Sequence, residues 1–286
     1  MNISRVGIVG CGVMGSGIAL LCAQKKYKVV ICEKDETVLK KGMENIGSEL
    51  LKLADRTGLA KPGRDEILSR IEGSCEFQAF ETCDLVIEAV TENLELKKKI
   101  FMTLDDICPE HTVFATNTSV LPVIEMARVT KRPDRILGTH FLTPPQIIPL
   151  LELVKTLKTS EPVLKTVMEF GQSLGKRVVV SEDRPGFIVN RILTPILLNA
   201  VRLLEEGTGT KEDIEAAVKT GLGLPMGPFE LMDLIGLDTL ELGTDAMFKE
   251  LQDQQYACPV KIRRMVGAGW LGRKSGKGFY EYSHKK

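Results

Sequence analysis

Arg5-Val6-Gly7-Ile8-Val9-Gly10-Cys11-Gly12-Val13-Met14-Gly15 decides how this chain is read. Its first five residues are mostly apolar and rich in β-branched side chains, the composition of a buried strand. They run straight into a GxGxxG turn. An apolar segment of helical character follows, then a second β-rich run, Lys28 to Cys32, and then Glu33. Gly10 allows the tight turn, Gly12 lets a pyrophosphate approach the backbone, and Gly15 lets the helix pack close on the strand. The helix N-terminus offers free N–H groups and the positive end of a dipole to phosphates. Glu33 follows Gly15 by eighteen residues, where a carboxylate can accept from both ribose hydroxyls. A glycine turn alone could be merely structural. The flanking strands and the acid make it a dinucleotide site. Glu33 favours NAD over NADP, because a 2′-phosphate beside a carboxylate is repelled. The adjacent Lys34 works against that preference.

Working outward, the strand–helix alternation continues. Residues 38–72 are polar and helical in pattern, with Lys61-Pro62-Gly63 breaking the run, and predict a helical hairpin rich in bases. Most of those bases read as a solvated face; the sharper reading is a cationic lip for an anionic substrate. Asp84 to Val90 predicts a buried strand. Leu94 to Ile107 predicts a helix with Leu96, Ile100, Phe101 and Leu104 inward. Thr112 to Thr116, Ile136 to Phe141, Leu150 to Val154 and Arg177 to Val180 predict further strands. The expected fold class is α/β: a Rossmann-type, mostly parallel sheet domain over residues 1–183, with the hairpin as an insertion. Beyond Glu182-Asp183-Arg184-Pro185-Gly186 the pattern turns helical. Phe187 to Glu206 predicts a long helix that Pro195 should kink. Thr210 to Asp213 reads as a helix start, Gly221 as a stop, and further helices begin near Pro228 and Pro259. Residues 184–286 form an expected all-α C-terminal domain for substrate binding and dimerisation.

With 286 residues and 43% hydrophobic content, the chain can build two buried cores. Its 38 acids balance 38 bases, and no basic block points to nucleic acid. The seven cysteines are scattered without a C-x-x-C pair, which predicts free thiols in a reducing compartment. Cys108 and His111 have C-x-x-H spacing but no second pair, so no metal is expected. No apolar stretch is long enough for a membrane span and no signal peptide precedes the first strand, so a cytoplasmic enzyme is expected.

An alcohol-oxidising enzyme needs a base, a group that holds the base, and donors around the oxygen. There are three histidines. His284 lies in the tail and His111 at a helix-to-strand connection. His140 ends an apolar strand, at the edge where open α/β sheets bind ligands. Glu152 sits twelve residues later inside another apolar run, where an acid is costly unless paired. Its partner could be His140, which would stabilise an imidazolium, or a lysine or arginine. Ser119 ends a strand at the same edge, where serine also serves as a turn or helix cap.

The ordered blocks resemble the 3-hydroxyacyl-CoA dehydrogenase family, nearest its short bacterial 3-hydroxybutyryl-CoA type. They are the glycine loop, Val86-Ile87-Glu88-Ala89, Asn117-Thr118-Ser119, His140-Phe141, Pro185 to Arg191, Leu224 to Leu231 and Gly269 to Tyr280. The resemblance implies an oxidoreductase of fatty acid or butyrate metabolism that transfers hydride from an L-3-hydroxyacyl-CoA to NAD. It implies His140 as base, Glu152 as its orienting partner, and Ser119 and Asn190 on substrate oxygens. It places Gly10, Gly12, Gly15, Glu33, Glu92, Lys97, Asn117 and Lys274 at cofactor positions, and Lys52 and Arg56 near the CoA phosphates. A homodimer through the C-terminal helical domain is expected, with neither membrane nor nucleic-acid partners. One departure stands out: the family has Asn before Pro after His-Phe, and this chain has Leu142-Thr143-Pro144-Pro145. Thr143 keeps a hydroxyl but loses the amide's reach. That rim is closer to relatives that oxidise 3-hydroxy acids without CoA, and a dehydrogenase of a free 3-hydroxy acid or sugar acid is the alternative reading. A non-catalytic dinucleotide-binding or structural protein is the third.

Overall fold

The computed structural model describes residues 2–282. It divides into two compact units, one ending at Arg184 and the other beginning at Pro185.

The first unit is built on one eight-stranded sheet. In chain order the strands are β1 Arg5–Val9, β2 Lys28–Cys32, β3 Ile71–Ser74, β4 Leu85–Glu88, β5 Val113–Thr116, β6 Ile136–Phe141, β7 Leu150–Lys155 and β8 Arg177–Glu182. Their spatial order is β3-β2-β1-β4-β5-β6-β7-β8. The first six are parallel, in the 3-2-1-4-5-6 order of a dinucleotide-binding sheet. β7 runs antiparallel to β6, and β8 is parallel to β7. The helices are α1 Val13–Gln24, α2 Glu36–Thr57, α3 Lys61–Leu68, α4 Leu94–Ile107, α5 Val123–Ala127 and α6 Glu161–Ser173.

Strand alternation sorts side chains between the two faces. Val6 and Ile8 of β1 enter the core shared with Ile18 and Leu21 of α1 and Val167 and Phe170 of α6. Gly7 faces the other way, where a Cβ would meet Phe80 at 2.6 Å. Each buried Val, Ile or Leu contributes about 1.5–3 kcal/mol, so a sheet covered on both faces sets the fold. The hairpin forms as α2 and α3, but the break is at residues 58–60. Gly58 caps α2 in the left-handed region, with φ 71°, and Lys61-Pro62-Gly63 opens α3 instead of interrupting it.

Two expectations need correction. Residues 71–74 are the edge strand β3, not the hairpin's end. On α4, Leu96 is exposed and Lys97 is buried. The lysine turns inward because a carboxylate waits for it there, as described below.

The second unit is helical: α7 Val189–Glu205, α8 Lys211–Ala216, α9 Pro228–Ile235, α10 Leu237–Leu251 and α11 Val260–Gly267. Thr210 caps α8 by accepting from the Asp213 N–H, and a π turn over Ala217–Gly221 ends it. Pro195 lies inside α7, which stays one continuous helix. Proline cannot donate to the carbonyl four residues back. That carbonyl, on Arg191, accepts from the Tyr256 hydroxyl at 3.3 Å instead. Asp233 of α9 is buried and accepts from the Phe279 and Tyr280 N–H groups and the Tyr282 hydroxyl. The block Gly269 to Tyr280 is thereby hooked to α9, and a Cβ on Gly272 would strike the Asp233 carbonyl at 2.3 Å.

Candidate active site

The β6–β7 register sets His140 directly opposite Glu152. Directly opposed residues of an antiparallel pair project on the same face, close enough to touch. His140 Nδ1 and Glu152 Oε2 are 2.7 Å apart, and both side chains are buried. Their strand neighbours Phe141 and Leu151 point the other way, into the core. An Nδ1–H donated to Glu152 fixes the tautomer that leaves Nε2 as an acceptor. Register alone therefore brings together a histidine and a carboxylate that could act as a base and its orienting partner.

The connection from β6 to β7 forms a rim beside this pair. Its Thr143–Pro144 bond is cis. The Thr143 hydroxyl donates to the Met14 sulfur at 2.9 Å, at the start of α1. Pro145 lies against Gly17, where a Cβ would meet its ring at 2.5 Å. Buried Lys176 donates to the Pro145 and Ile148 carbonyls at 2.6 and 2.7 Å. Burial, with Lys25 nearby, pulls its ammonium below the usual lysine range. Lysine was not foreseen as the rim's anchor, since nothing in the sequence ties it to two backbone carbonyls.

Asn117, Thr118 and Ser119 follow β5 at the same edge. The Asn117 side-chain oxygen accepts from the Phe141 N–H at 3.0 Å, joining this turn to the His140 strand. Glu92 Oε1 accepts from the Thr118 hydroxyl, the Ser119 N–H and the Ser119 hydroxyl, at 2.8, 2.7 and 3.2 Å. Lys97 Nζ lies 3.4 Å from the other Glu92 oxygen and 2.7 Å from Glu88 Oε1. Glu92 and Lys97 are thus bound to the Ser119 turn and to each other.

The glycine loop has the form that a dinucleotide needs. Gly10 adopts φ 99°, in the left-handed region. Gly12 caps α1 without a side-chain hydrogen bond, and a Cβ there would meet nothing within 4 Å. Backbone approach to a pyrophosphate is therefore open at Gly12. A Cβ on Gly15 would lie 1.9 Å from the Gly10 carbonyl oxygen. The Glu33 carboxylate accepts from the Cys11 and Lys34 N–H groups at 2.9 and 2.8 Å, holding the acid beside the loop. Burial raises the Cys11 thiol, which keeps it protonated and unreactive. These residues fit NAD. Glu33→Ser should narrow or reverse the preference for NADH over NADPH, read from the two kcat/KM values. Equal use of both cofactors by the unmodified enzyme would show that Glu33 does not discriminate.

Lys52 and Arg56 are exposed, one turn apart on α2, and Lys52 pairs with Glu49 at 2.6 Å. Asn190 lies in the first turn of α7. Lys274 pairs with Asp238 at 2.6 Å, within the second unit. His111 lies 3.6 Å from Asp84, at the N-terminal ends of β4 and β5 and so at the opposite edge from His140, and His284 falls outside the described residues. Among the described residues no His, Cys, Asp and Glu cluster could hold a metal, and no helix is long and apolar enough to cross a membrane.

Comparison with known proteins agrees along the whole chain. Residues 5–184 match the model of the 3-hydroxyacyl-CoA dehydrogenase NAD binding domain, and residues 186–282 match that of the C-terminal domain. A 3-hydroxybutyryl-CoA dehydrogenase of Mycobacterium tuberculosis is 43% identical over 98% of this chain and 99% of its own. The mitochondrial hydroxyacyl-coenzyme A dehydrogenase of Sus scrofa is 39% identical over 98% of this chain and 91% of its own. The crystal structure of the (S)-3-hydroxybutyryl-CoA dehydrogenase of Ralstonia eutropha superposes with a TM-score of 0.94 at 39% identity, covering 99% and 100% of the two chains. A diketoreductase acting on dicarbonyl compounds superposes at 0.85 with 29% identity, covering 99% and 100%.

Proposed function

The chain belongs to the 3-hydroxyacyl-CoA dehydrogenase family of NAD-dependent oxidoreductases, and from that premise we propose that it oxidises a short-chain L-3-hydroxyacyl-CoA such as 3-hydroxybutyryl-CoA. The observation that carries this reading is the buried His140–Glu152 pair at the edge where β1, β4 and β5 also end. NAD supplies the hydride acceptor. Gly10, Gly12, Gly15 and Glu33 hold it, with Asn117 and Glu92 at the adjoining strand ends. Lys97 serves it from behind, through Glu92, and Lys274 is assigned to it on the family resemblance.

The chain's own work is proton transfer. His140 Nε2 accepts the 3-hydroxyl proton as the C3–H bond gives its electron pair to the cofactor, and a 3-ketoacyl-CoA remains. Glu152 balances the imidazolium that forms. Ser119 hydrogen-bonds the reacting oxygen, and Asn190 is given the same task on the family resemblance. The enzyme is proposed to be cytoplasmic and to work in fatty acid or butyrate metabolism. Exposed apolar side chains of the second unit, Leu234, Leu242 and Trp270 among them, support a homodimer through that unit.

A second reading, oxidation of a free 3-hydroxy acid, is favoured by the Thr143-Pro144-Pro145 rim and by the likeness to the diketoreductase. NADH oxidation with acetoacetyl-CoA against free acetoacetate separates the two. Preference for acetoacetyl-CoA is expected. CoA phosphates need local cations in a chain of zero net charge. The double variant Lys52→Ala, Arg56→Ala should therefore raise KM for the thioester by about tenfold with little change in kcat, and salt should shrink the penalty. An unchanged KM at low salt would leave the hairpin a solvated surface and move weight to the free acid.

A further inference from the structure

We propose that Glu88 is a positioning residue for the reaction, setting the Ser119 hydroxyl through Lys97 and Glu92. The proposal rests on the reading that Ser119 touches the substrate.

Glu88 ends β4 and is wholly buried. Both of its oxygens are engaged. Oε1 accepts from Lys97 Nζ and the Val90 N–H, each at 2.7 Å, and Oε2 accepts from the Thr116 hydroxyl at 2.7 Å. Lys97 is equally buried, and its third contact is the Val90 carbonyl at 3.3 Å. Beyond Lys97 stands Glu92. Its Oε2 is buried with no hydrogen-bond partner and has only the Lys97 charge, 3.4 Å away. Its Oε1 carries the Ser119 turn. The order Glu88, Lys97, Glu92, Ser119 thus runs from a sealed strand end to the proposed site.

Two carboxylates share one ammonium in this cluster. Burying such a set costs desolvation that an apolar core would not. The cost is offset by five donors: the Val90 N–H, the Thr116 and Thr118 hydroxyls, and the Ser119 N–H and hydroxyl. The Ser119 hydroxyl makes the longest bond of the three on Glu92 Oε1, at 3.2 Å, while the Ser119 N–H makes the shortest. The backbone is held firmly and the hydroxyl stays free to turn to a substrate oxygen. Glu88 sets the balance. With it charged, Lys97 sits closer to Glu88 than to Glu92, and Glu92 Oε1 is left to the serine. With it neutral, Lys97 has one full counter-charge, Glu92, and draws it off the serine turn.

The test is a double-mutant cycle between Glu88→Gln and Ser119→Ala, with kcat and KM for NADH and acetoacetyl-CoA. Glu88→Gln keeps the shape and removes the charge. Alone it should lower kcat by about tenfold, a larger change than any in KM for NADH, which Glu92 and Lys97 also adjoin, because misplacing a group by an ångström costs up to about 100-fold. In the Ser119→Ala background the same change should cost less than about twofold, since residues in one chain of contacts are not additive. Wild-type kcat in Glu88→Gln, or its full penalty on top of Ser119→Ala, overturns the proposal. Wild-type kcat in Ser119→Ala overturns the Ser119 reading and this proposal together. Should Glu88→Gln not fold, Thr116→Val removes the 2.7 Å bond to Glu88, together with the longer 3.3 Å bond from the Thr118 N–H, and keeps every charge. It should lower kcat by about threefold alone and leave Ser119→Ala unchanged, and an equal loss in both backgrounds overturns the proposal.

Discussion

His140→Ala should lower turnover by about two to four orders of magnitude, while NADH binding measured by fluorescence titration stays intact. Register places the ring, and Glu152 holds its Nδ1. Alanine leaves the glycine loop untouched, because Gly10, Gly12, Gly15 and Glu33 lie just after β1, at the start of α1 and just after β2, not on β6. Near-normal turnover in the variant would remove His140 from the mechanism. Glu152→Gln should cost about two orders of magnitude, since the imidazolium loses its counter-charge and the amide can present a donor where the carboxylate accepted. A folded Glu152→Gln protein with full turnover would make the pair structural.

The fold was legible where one residue type answers one need. Gly10 and Gly15 could be read because a turn and a carbonyl stand where a Cβ would be, and Gly12 because the space beside it is left open. His140 and Glu152 could be weighed as partners because a buried acid in an apolar run must have one. What stayed hidden depended on contacts across the chain. β3 carries a single buried residue, Ile71, so its Ile71-Glu72-Gly73-Ser74 shows no strand alternation. On α4, apolar periodicity turned Leu96 inward. The buried Glu88 reversed that face by one position, because pairing Lys97 outweighs burying a leucine. Pro195 suggests a kink, and only the distant Tyr256 reveals how the unpaired Arg191 carbonyl is satisfied. Lys176 reads as one more surface base until two rim carbonyls are found on it. In each case an i-to-j contact over tens of residues overrode a local rule, and a single sequence carries no record of such contacts.

Gly15→Ala and Gly12→Ala should both abolish strong NADH binding, for opposite reasons that a melting curve separates. At Gly15 the new methyl would sit 1.9 Å from the Gly10 carbonyl oxygen and 3.3 Å from Ile8. That oxygen is backbone, in a turn already committed to φ 99°, and cannot yield as a flexible side chain would. Either α1 shifts off β1 or the turn opens, and overpacking of this kind costs about 1–3 kcal/mol or more. A drop in melting temperature should therefore accompany the loss of binding. At Gly12 the backbone is ordinary, with φ −74° and ψ −168°, and the added Cβ meets nothing within 4 Å. Alanine tolerates that conformation and restricts the unfolded chain, a gain of about 0.4–1 kcal/mol that offsets its poorer fit at an N-cap, so the apo-protein should melt close to the wild-type temperature. The methyl then occupies space that the pyrophosphate needs against the helix N-terminus, and NADH affinity should fall by more than about tenfold. Gly12→Ala protein that binds NADH as tightly as wild type would mean that the phosphates do not approach the backbone there. The dinucleotide site would then have to be sought away from the loop that first suggested it.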